Sequence, residues 1–147
     1  MKRLAILDDY QGVALQMADW SRLGGKVEIT IFRDHLSDER AVAERLQDFQ
    51  IVCLMRERTP FPRSLFEKLP KLEHLVTSGM RNRSIDLQAA RDRGVVVTGT
   101  PSLDHPTMEL TWALILGLAR RVPVEDRAMR ERRWATTVGI GLRGKTL

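Results

Sequence analysis

The sequence predicts an α/β fold: a doubly wound, parallel, five-stranded sheet of order 2-1-3-4-5, followed by two C-terminal helices. Three observations predict it. Short apolar runs alternate with helix-like segments five times along the first hundred residues, and such alternation calls for parallel strands joined by crossovers. The first of these runs, Leu4-Ala5-Ile6-Leu7, is continuously apolar and stops at Asp8-Asp9, as a strand covered on both faces does. After Pro101 the alternation ends and two helix-like segments follow one another. The order 2-1-3-4-5 is a common solution for a unit of this size.

The elements follow in chain order. Leu4 to Leu7 form strand one. Val13, Ala14, Met17 and Trp20 make a helical stripe that stops near Gly24-Gly25. Val27, Ile29 and Ile31 alternate with polar residues, which predicts a half-buried edge strand. Ser37 is the expected N-cap of a helix carrying Ala41, Val42, Arg45 and Leu46. Ile51 to Leu54 form strand three, and Pro62 opens a short helix through Leu65, Phe66 and Leu69. Strand four begins at Leu75-Val76 and ends at Thr77-Ser78-Gly79. Asp86 caps a helix over Leu87, Ala90 and Arg91 that Gly94 closes, and Val95 to Val97 form strand five. Beyond Pro101, the segment Glu109 to Arg120 is apolar over most of its circumference and is expected to be buried on more than one side. Pro123 breaks it and starts a second helix, Val124 to Trp134. The domain organisation is therefore 1–101 for the sheet and 102–147 for the opening of a second unit.

Composition narrows the function classes. Hydrophobic residues are 43% of the chain and aromatic residues 5%, so the core is built mainly from Leu, Val, Ile and Ala. The net charge is +5, but the arginines are dispersed. Arg120-Arg121 and Arg130-Glu131-Arg132-Arg133 fit solvated helix faces better than a nucleic-acid footprint. The single cysteine, Cys53, lies in an apolar run and excludes a disulfide framework. Asp8 and Asp9 interrupt the N-terminal apolar run, so no signal peptide is expected, and no stretch is long enough to span a bilayer. A soluble, cytoplasmic protein is the expectation, without a membrane or nucleic-acid partner.

Two suggestive motifs lead elsewhere. Gly139, Gly141 and Gly144 spell G-x-G-x-x-G. That fingerprint works only between a strand and a helix whose N-terminal amides hold a pyrophosphate. Trp134 to Val138 is at best a weak strand, and three residues after Gly144 cannot make a helix, so a flexible glycine loop is expected. Asp8-Asp9 resembles the acidic pair of a phospho-receiver domain, but strand three runs into Met55-Arg56 without an acceptor Asp and Thr98 to Pro101 contains no Lys. N-capping of the next helix is the expected role of both aspartates.

In open α/β sheets the working residues sit beyond the carboxyl ends of the strands. Three loops qualify: Asp8, Asp9 and Tyr10; Met55, Arg56, Glu57 and Arg58; and Ser78, Gly79, Met80, Arg81 and Asn82. Gly79 can turn successive amides toward one point, and Arg56, Arg58, Arg81 and Arg83 add positive potential. A small carboxylate suits that environment. An ordinary strand-to-helix turn with solvated arginines explains the same residues equally well.

The residues that break the tie are Leu7-Asp8-Asp9-Tyr10-Gln11-Gly12-Val13-Ala14, Thr77-Ser78-Gly79-Met80-Arg81-Asn82-Arg83-Ser84-Ile85-Asp86, Gly94 to Val97 followed by Thr100-Pro101, Glu109, and Leu142-Arg143-Gly144-Lys145-Thr146-Leu147. In that order they resemble the D-isomer specific 2-hydroxyacid dehydrogenases over essentially the whole chain. Arg81 stands where many members have Gly, and Met108 where Ala is usual. The resemblance implies a flavodoxin-like substrate domain and hydride transfer between a small 2-hydroxy/2-oxo acid and NAD or NADP. It implies that backbone amides at Met80 and Arg81 bind the substrate carboxylate, and Arg56, Ser78 and Gly79 of the same loops complete the expected substrate site. It places Met80 and Thr107 near the cofactor. The family's catalytic Arg, its acidic partner and its His base fall in a later half. None of His35, His74 or His105 matches the base, and the first two are expected on solvated surface. By itself this chain is expected to be inactive, to bind no cofactor tightly, and to expose apolar surface around Leu110, Trp112, Leu114 and Leu118. A homo-oligomer is the expected consequence, possibly swapped through helices 109–134. The alternative is a non-enzymatic binding or assembly module on the same sheet.

Overall fold

The structure is a computed structural model and describes residues 1–103 and 105–146. It divides into two compact units, Met1–Ser102 and Leu103–Leu147. The first holds five strands: β1 (Lys2–Ile6), β2 (Val27–Ile31), β3 (Ile51–Leu54), β4 (His74–Thr77) and β5 (Val96–Gly99). All pair in parallel in the order β2-β1-β3-β4-β5, as the alternation predicts. The register sets Ile6 beside Cys53, Cys53 beside Val76, and Thr77 beside Gly99. The carboxyl ends of β1, β3, β4 and β5 therefore finish side by side.

Three helices, α1 (Glu39–Leu46), α2 (Arg63–Lys68) and α3 (Leu87–Asp92), cover one face of the sheet. Ala5, Leu7, Val52, Leu54, Leu75 and Val95 meet Val42, Leu46, Leu65, Phe66 and Ala89 there. Phe61 and Phe66 pack edge to face at 5.6 Å, and burying such a ring is worth about 2–3 kcal/mol. The other face carries Leu4, Ile6 and Ala14 with Trp20, Val27, Ile29 and Cys53 against them. Burial pushes the Cys53 thiol up to about 11, so it behaves as the small hydrophobe its surroundings imply.

Local departures have local causes. The stripe at 13–20 is two 3₁₀ turns, Ala14–Gln16 and Trp20–Leu23, because the Asp19 carboxylate accepts from the Ser21 amide at 3.1 Å and starts a new turn. The cap of α1 is Asp38, accepting from Ala41 at 2.9 Å, rather than Ser37. Asp86 does cap α3, accepting from Ala89 at 2.8 Å, and Gly94 follows that helix at φ +69°.

Exposed ion pairs tie the helices to one another and to loops: Asp34 to Arg45, Glu39 to Lys68, Asp48 to Lys71 and Asp92 to Arg63. In each pair the hydrogen-bonded cation holds the carboxyl below its ordinary value. A depressed folded-state pKa gives stability that is present above the unfolded value and lost as pH falls through the folded one. Melting temperature should therefore drop progressively below about pH 4, and the drop should shrink in high salt because exposed pairs are screened. Thermal melts in an acid series at low and high salt check this.

The second unit holds α4 (His105–Ala119) and α5 (Val122–Arg130). Pro123 sits in the first turn of α5, as expected. The helix ends earlier than Trp134, because Glu131 caps it and Arg132 takes φ +58°. No residue of α4 is buried, and Leu118 is 77% exposed. Trp134 to Val138 is not a strand. Instead, the Glu125 carboxylate accepts from the Thr137 hydroxyl (2.6 Å) and from the amides of Thr136 (3.1 Å) and Thr137 (2.6 Å), and these bonds, the hydroxyl's first, hold it below its ordinary value. Gly139 packs on α4: a Cβ there would sit 2.8 Å from the Ala119 carbonyl oxygen. Among the described residues no helix is long and apolar enough to cross a membrane.

Candidate functional site

The loop after β4 is the centre of the site. Gly79 has φ +94°, a conformation open to glycine and strained for other residues. Its amide donates to Thr100 Oγ1 at 3.1 Å. The next two amides, Met80 and Arg81, have no acceptor among the described residues. Met80 is 69% exposed. The Arg56 guanidinium lies over Gly79, its Nη1 occupying the space a Cβ would need. Arg56 itself has φ +55°, and its nearest carboxylate, Glu57, is 3.7 Å away. Two free amides following a glycine that an arginine covers combine donors and positive charge in a way suited to an anion.

Side chains beneath fix that arrangement. Ser78 Oγ accepts from the Arg56 amide at 2.9 Å, so its hydroxyl positions the β3 loop. Asn82 Nδ2 donates to the Arg56 carbonyl at 2.7 Å and to Thr77 Oγ1 at 3.0 Å. Its Oδ1 accepts from the Ser84 amide at 2.9 Å. One amide thus clips the loops after β3 and β4 together. The sequence places Asn82 in the right loop, and the Asn-x-Ser spacing signals its turn, but not its bond to Arg56.

The loop after β1 supports the same region. Asp9 accepts from the Val13 and Ala14 amides at 3.1 Å each, entering a 3₁₀ turn whose N-cap is Val13, so it is not the N-cap expected. Asp8 is not a cap. It is 1% exposed at φ +58°, with Oδ1 bonded to His35 Nδ1 at 2.8 Å and Oδ2 accepting from Thr59 at 2.7 Å. His35 is exposed, as expected, and its ring is also tied to a buried carboxylate. Arg58 donates to the Asp8 carbonyl at 2.7 Å and stacks on Tyr10 at 4.5 Å. Of the four arginines expected to enrich the site, Arg58 is thus engaged in holding β1 to β3.

Arg81 and Arg83 border a cavity of about 460 Å³ together with Met80, Ile85, Val97 and Gly99. Thr107 lies in the second unit, exposed on the first turn of α4. His74 bonds Thr98 at 2.8 Å. A separate cavity of about 300 Å³ in the second unit is lined by Arg120, Glu125 and Trp134, and its carboxylate is unsuited to an acid ligand. The Gly139–Gly144 stretch does not fit a pyrophosphate: Gly139 is pressed on the Ala119 carbonyl, and residues 142–145 make only a turn. Among the described residues no cluster of His, Cys, Asp and Glu could hold a metal.

A five-stranded parallel sheet of order β2-β1-β3-β4-β5 agrees with what comparison finds. Residues 5–138 match the model of the D-isomer specific 2-hydroxyacid dehydrogenase catalytic domain, and the chain belongs to that family. The glyoxylate reductase of Thermococcus litoralis is 31% identical over 132 residues, which are 82% of this chain and 39% of that protein. The D-3-phosphoglycerate dehydrogenase of Homo sapiens is 31% identical over 118 residues, 78% of this chain and 22% of that protein. A phosphoglycerate oxidoreductase structure from Vibrio cholerae superposes with a TM-score of 0.84 at 32% identity, over 97% of this chain and 46% of that one. The chain thus spans less than half the length of the relatives it matches.

Proposed function

We propose that the Met1–Ser102 unit is the acid-binding wall of an oxidoreductase that moves a hydride between a small 2-hydroxy/2-oxo acid and NAD or NADP. The observation that carries this is the pair of unpartnered amides, Met80 and Arg81, after a glycine at φ +94° and under the Arg56 guanidinium. A carboxylate accepts from both amides and faces the cation. Ser78 and Asn82 keep the two loops in register. Family membership supplies the reaction type, and Met80 and Thr107 are the residues assigned to cofactor contact. Titration of the ¹⁵N-labelled chain with glyoxylate should shift the Gly79, Met80 and Arg81 amides saturably. Flat amide positions across that titration would sink the assignment.

A second reading rests on a different observation. Leu110, Leu114 and Leu118 of α4 are 61%, 59% and 77% exposed, and a patch of that kind recruits a partner. The occupant this reading favours is a second copy of the chain, joined through residues 109–134. Light scattering at micromolar concentration is expected to give at least twice the mass of one chain. A single-chain mass with no aggregation would remove it. An assembled chain whose Gly79 loop ignores 2-oxo acids would favour the non-enzymatic module over the dehydrogenase.

A further inference from the structure

The sheet of the first unit has two edges, β2 and β5, and they are not alike. Along a strand, successive residues turn their N–H and C=O groups to alternate sides. The Lys2 amide donates to the Lys26 carbonyl, and the Phe32 amide donates to the Ile6 carbonyl. Glu28 and Thr30 share that phase and bond to β1, so Val27, Ile29 and Ile31 point their backbone groups away from the sheet. None of these outward groups has a hydrogen-bond partner among the described residues. On β5 the Val96 amide donates to Glu73 and the Thr100 amide to Thr77, which leaves only Val97 and Gly99 facing outward. Pro101, which has no N–H, follows at once. Natural edges are blunted by prolines, bulges, charges or shortness. β2 has no proline, pairs with β1 without a break from Val27 to Ile31, and carries one charge, Glu28.

We infer that β2 pairs with β2 of a second copy of this chain, antiparallel about a two-fold axis at Ile29, so that one sheet runs through both copies. The strand is its own complement in that register. On one face Ile29 meets Ile29 of the second copy and Val27 meets Ile31, and β-branched cross-strand pairs are stabilising. On the other face Glu28 meets Thr30, whose hydroxyl can donate to the carboxylate. Flanking charges do not collide, because Lys26 falls opposite Phe32 and Arg33 opposite Gly25. Neighbouring registers are worse. A shift one way sets Glu28 against Glu28. A shift the other way sets Val27 against Arg33, beyond the strand, whose guanidinium lies over Gly12. Both copies use the same patch, so the contact closes at two chains. The inference depends neither on acid binding nor on α4.

The test is amide hydrogen exchange, read by NMR on the full 147-residue chain across a concentration series, with the mass followed by light scattering. The amides of Val27, Ile29 and Ile31 are expected to gain protection as the mass rises from one chain. Thr30→Glu sets like charges opposite each other at two places and should weaken the pairing about tenfold. Thr30→Lys sets opposite charges at the same two places and should tighten it about threefold. The two variants alter one position with side chains of similar length, so their opposite effects read the register rather than foldedness. Equal weakening by both would overturn the inference. So would a single-chain mass at every concentration, or an assembled chain whose Val27, Ile29 and Ile31 amides exchange as fast as those of exposed loops. Protection that Leu114→Glu removes and Thr30→Glu leaves intact would also overturn it, since α4 would then carry the contact. Protection already complete in the single chain would do the same, because the chain itself would then cover the edge.

Discussion

Replacing Asp8 by alanine is expected to lower the unfolding free energy by about 3 kcal/mol, as loss of one partner from a buried charged network does. The carboxylate is 1% exposed and joins three loops: its own after β1, His35 after β2 and Thr59 after β3. Truncation leaves the Thr59 hydroxyl buried without its acceptor and His35 Nδ1 without its hydrogen-bond partner. It also places alanine at φ +58°, a further cost, because that region suits Gly, Asn and Asp better than other residues. Asp8→Asn separates these contributions. Asparagine tolerates the backbone angle and keeps one acceptor oxygen, so it should lose about 1 kcal/mol. Urea unfolding of both variants decides: an Asp8→Ala change within about 0.5 kcal/mol of wild type would show that the network carries little stability. Arg58 donates to the carbonyl of the same residue, so slack there should also reach the β3 loop that carries Arg56.

How much of this was legible follows from the range of each interaction. Strand order and loop placement were legible, because apolar runs and their ends are local signals that topology rules convert into neighbours. Asp86 was legible as a cap, since a cap bonds an amide two or three residues away. Ser37 was a miss by one position, where two adjacent side chains could both cap and the chain uses Asp38. The helix expected at 13–20 failed because its apolar spacing was right but Asp19 restarts the turn. Asp8 with His35 was not legible at all. Those residues are 27 apart, and only the pairing of β1 with β2 brings them together. Asn82 was named with its loop, but its bond to Arg56 crosses from β4 to β3. The candidate site was therefore legible as a set of loops and illegible as a set of contacts.

Gly99→Ala should have the largest effect on acid recognition while leaving every proposed contact residue in place. Nothing in the sequence marks Gly99, which sits between two threonines at the end of β5. A Cβ there would lie 2.7 Å from the Gly79 carbonyl oxygen and 3.0 Å from Met80 Cα. Both are backbone atoms, so the clash cannot be relieved by turning a side chain, and the loop itself must move. Overpacking of this kind costs about 1–3 kcal/mol, and a shift of the Met80 and Arg81 amides should reduce acid affinity about tenfold or more. Gly79→Ala differs in kind: its nearest neighbour is the movable end of Arg56, and its penalty comes from φ +94°. Gly94→Ala separates stability from recognition, because Gly94 has φ +69° with nothing within 4 Å of its added Cβ. It should lose about 1 kcal/mol of stability, with acid binding intact. Parallel melts and glyoxylate titrations of the Gly99 and Gly94 variants would tell the two effects apart. Normal acid affinity in a folded Gly99→Ala chain would mean that the position of the Met80 and Arg81 amides does not govern recognition. The cationic side chains would then have to account for it.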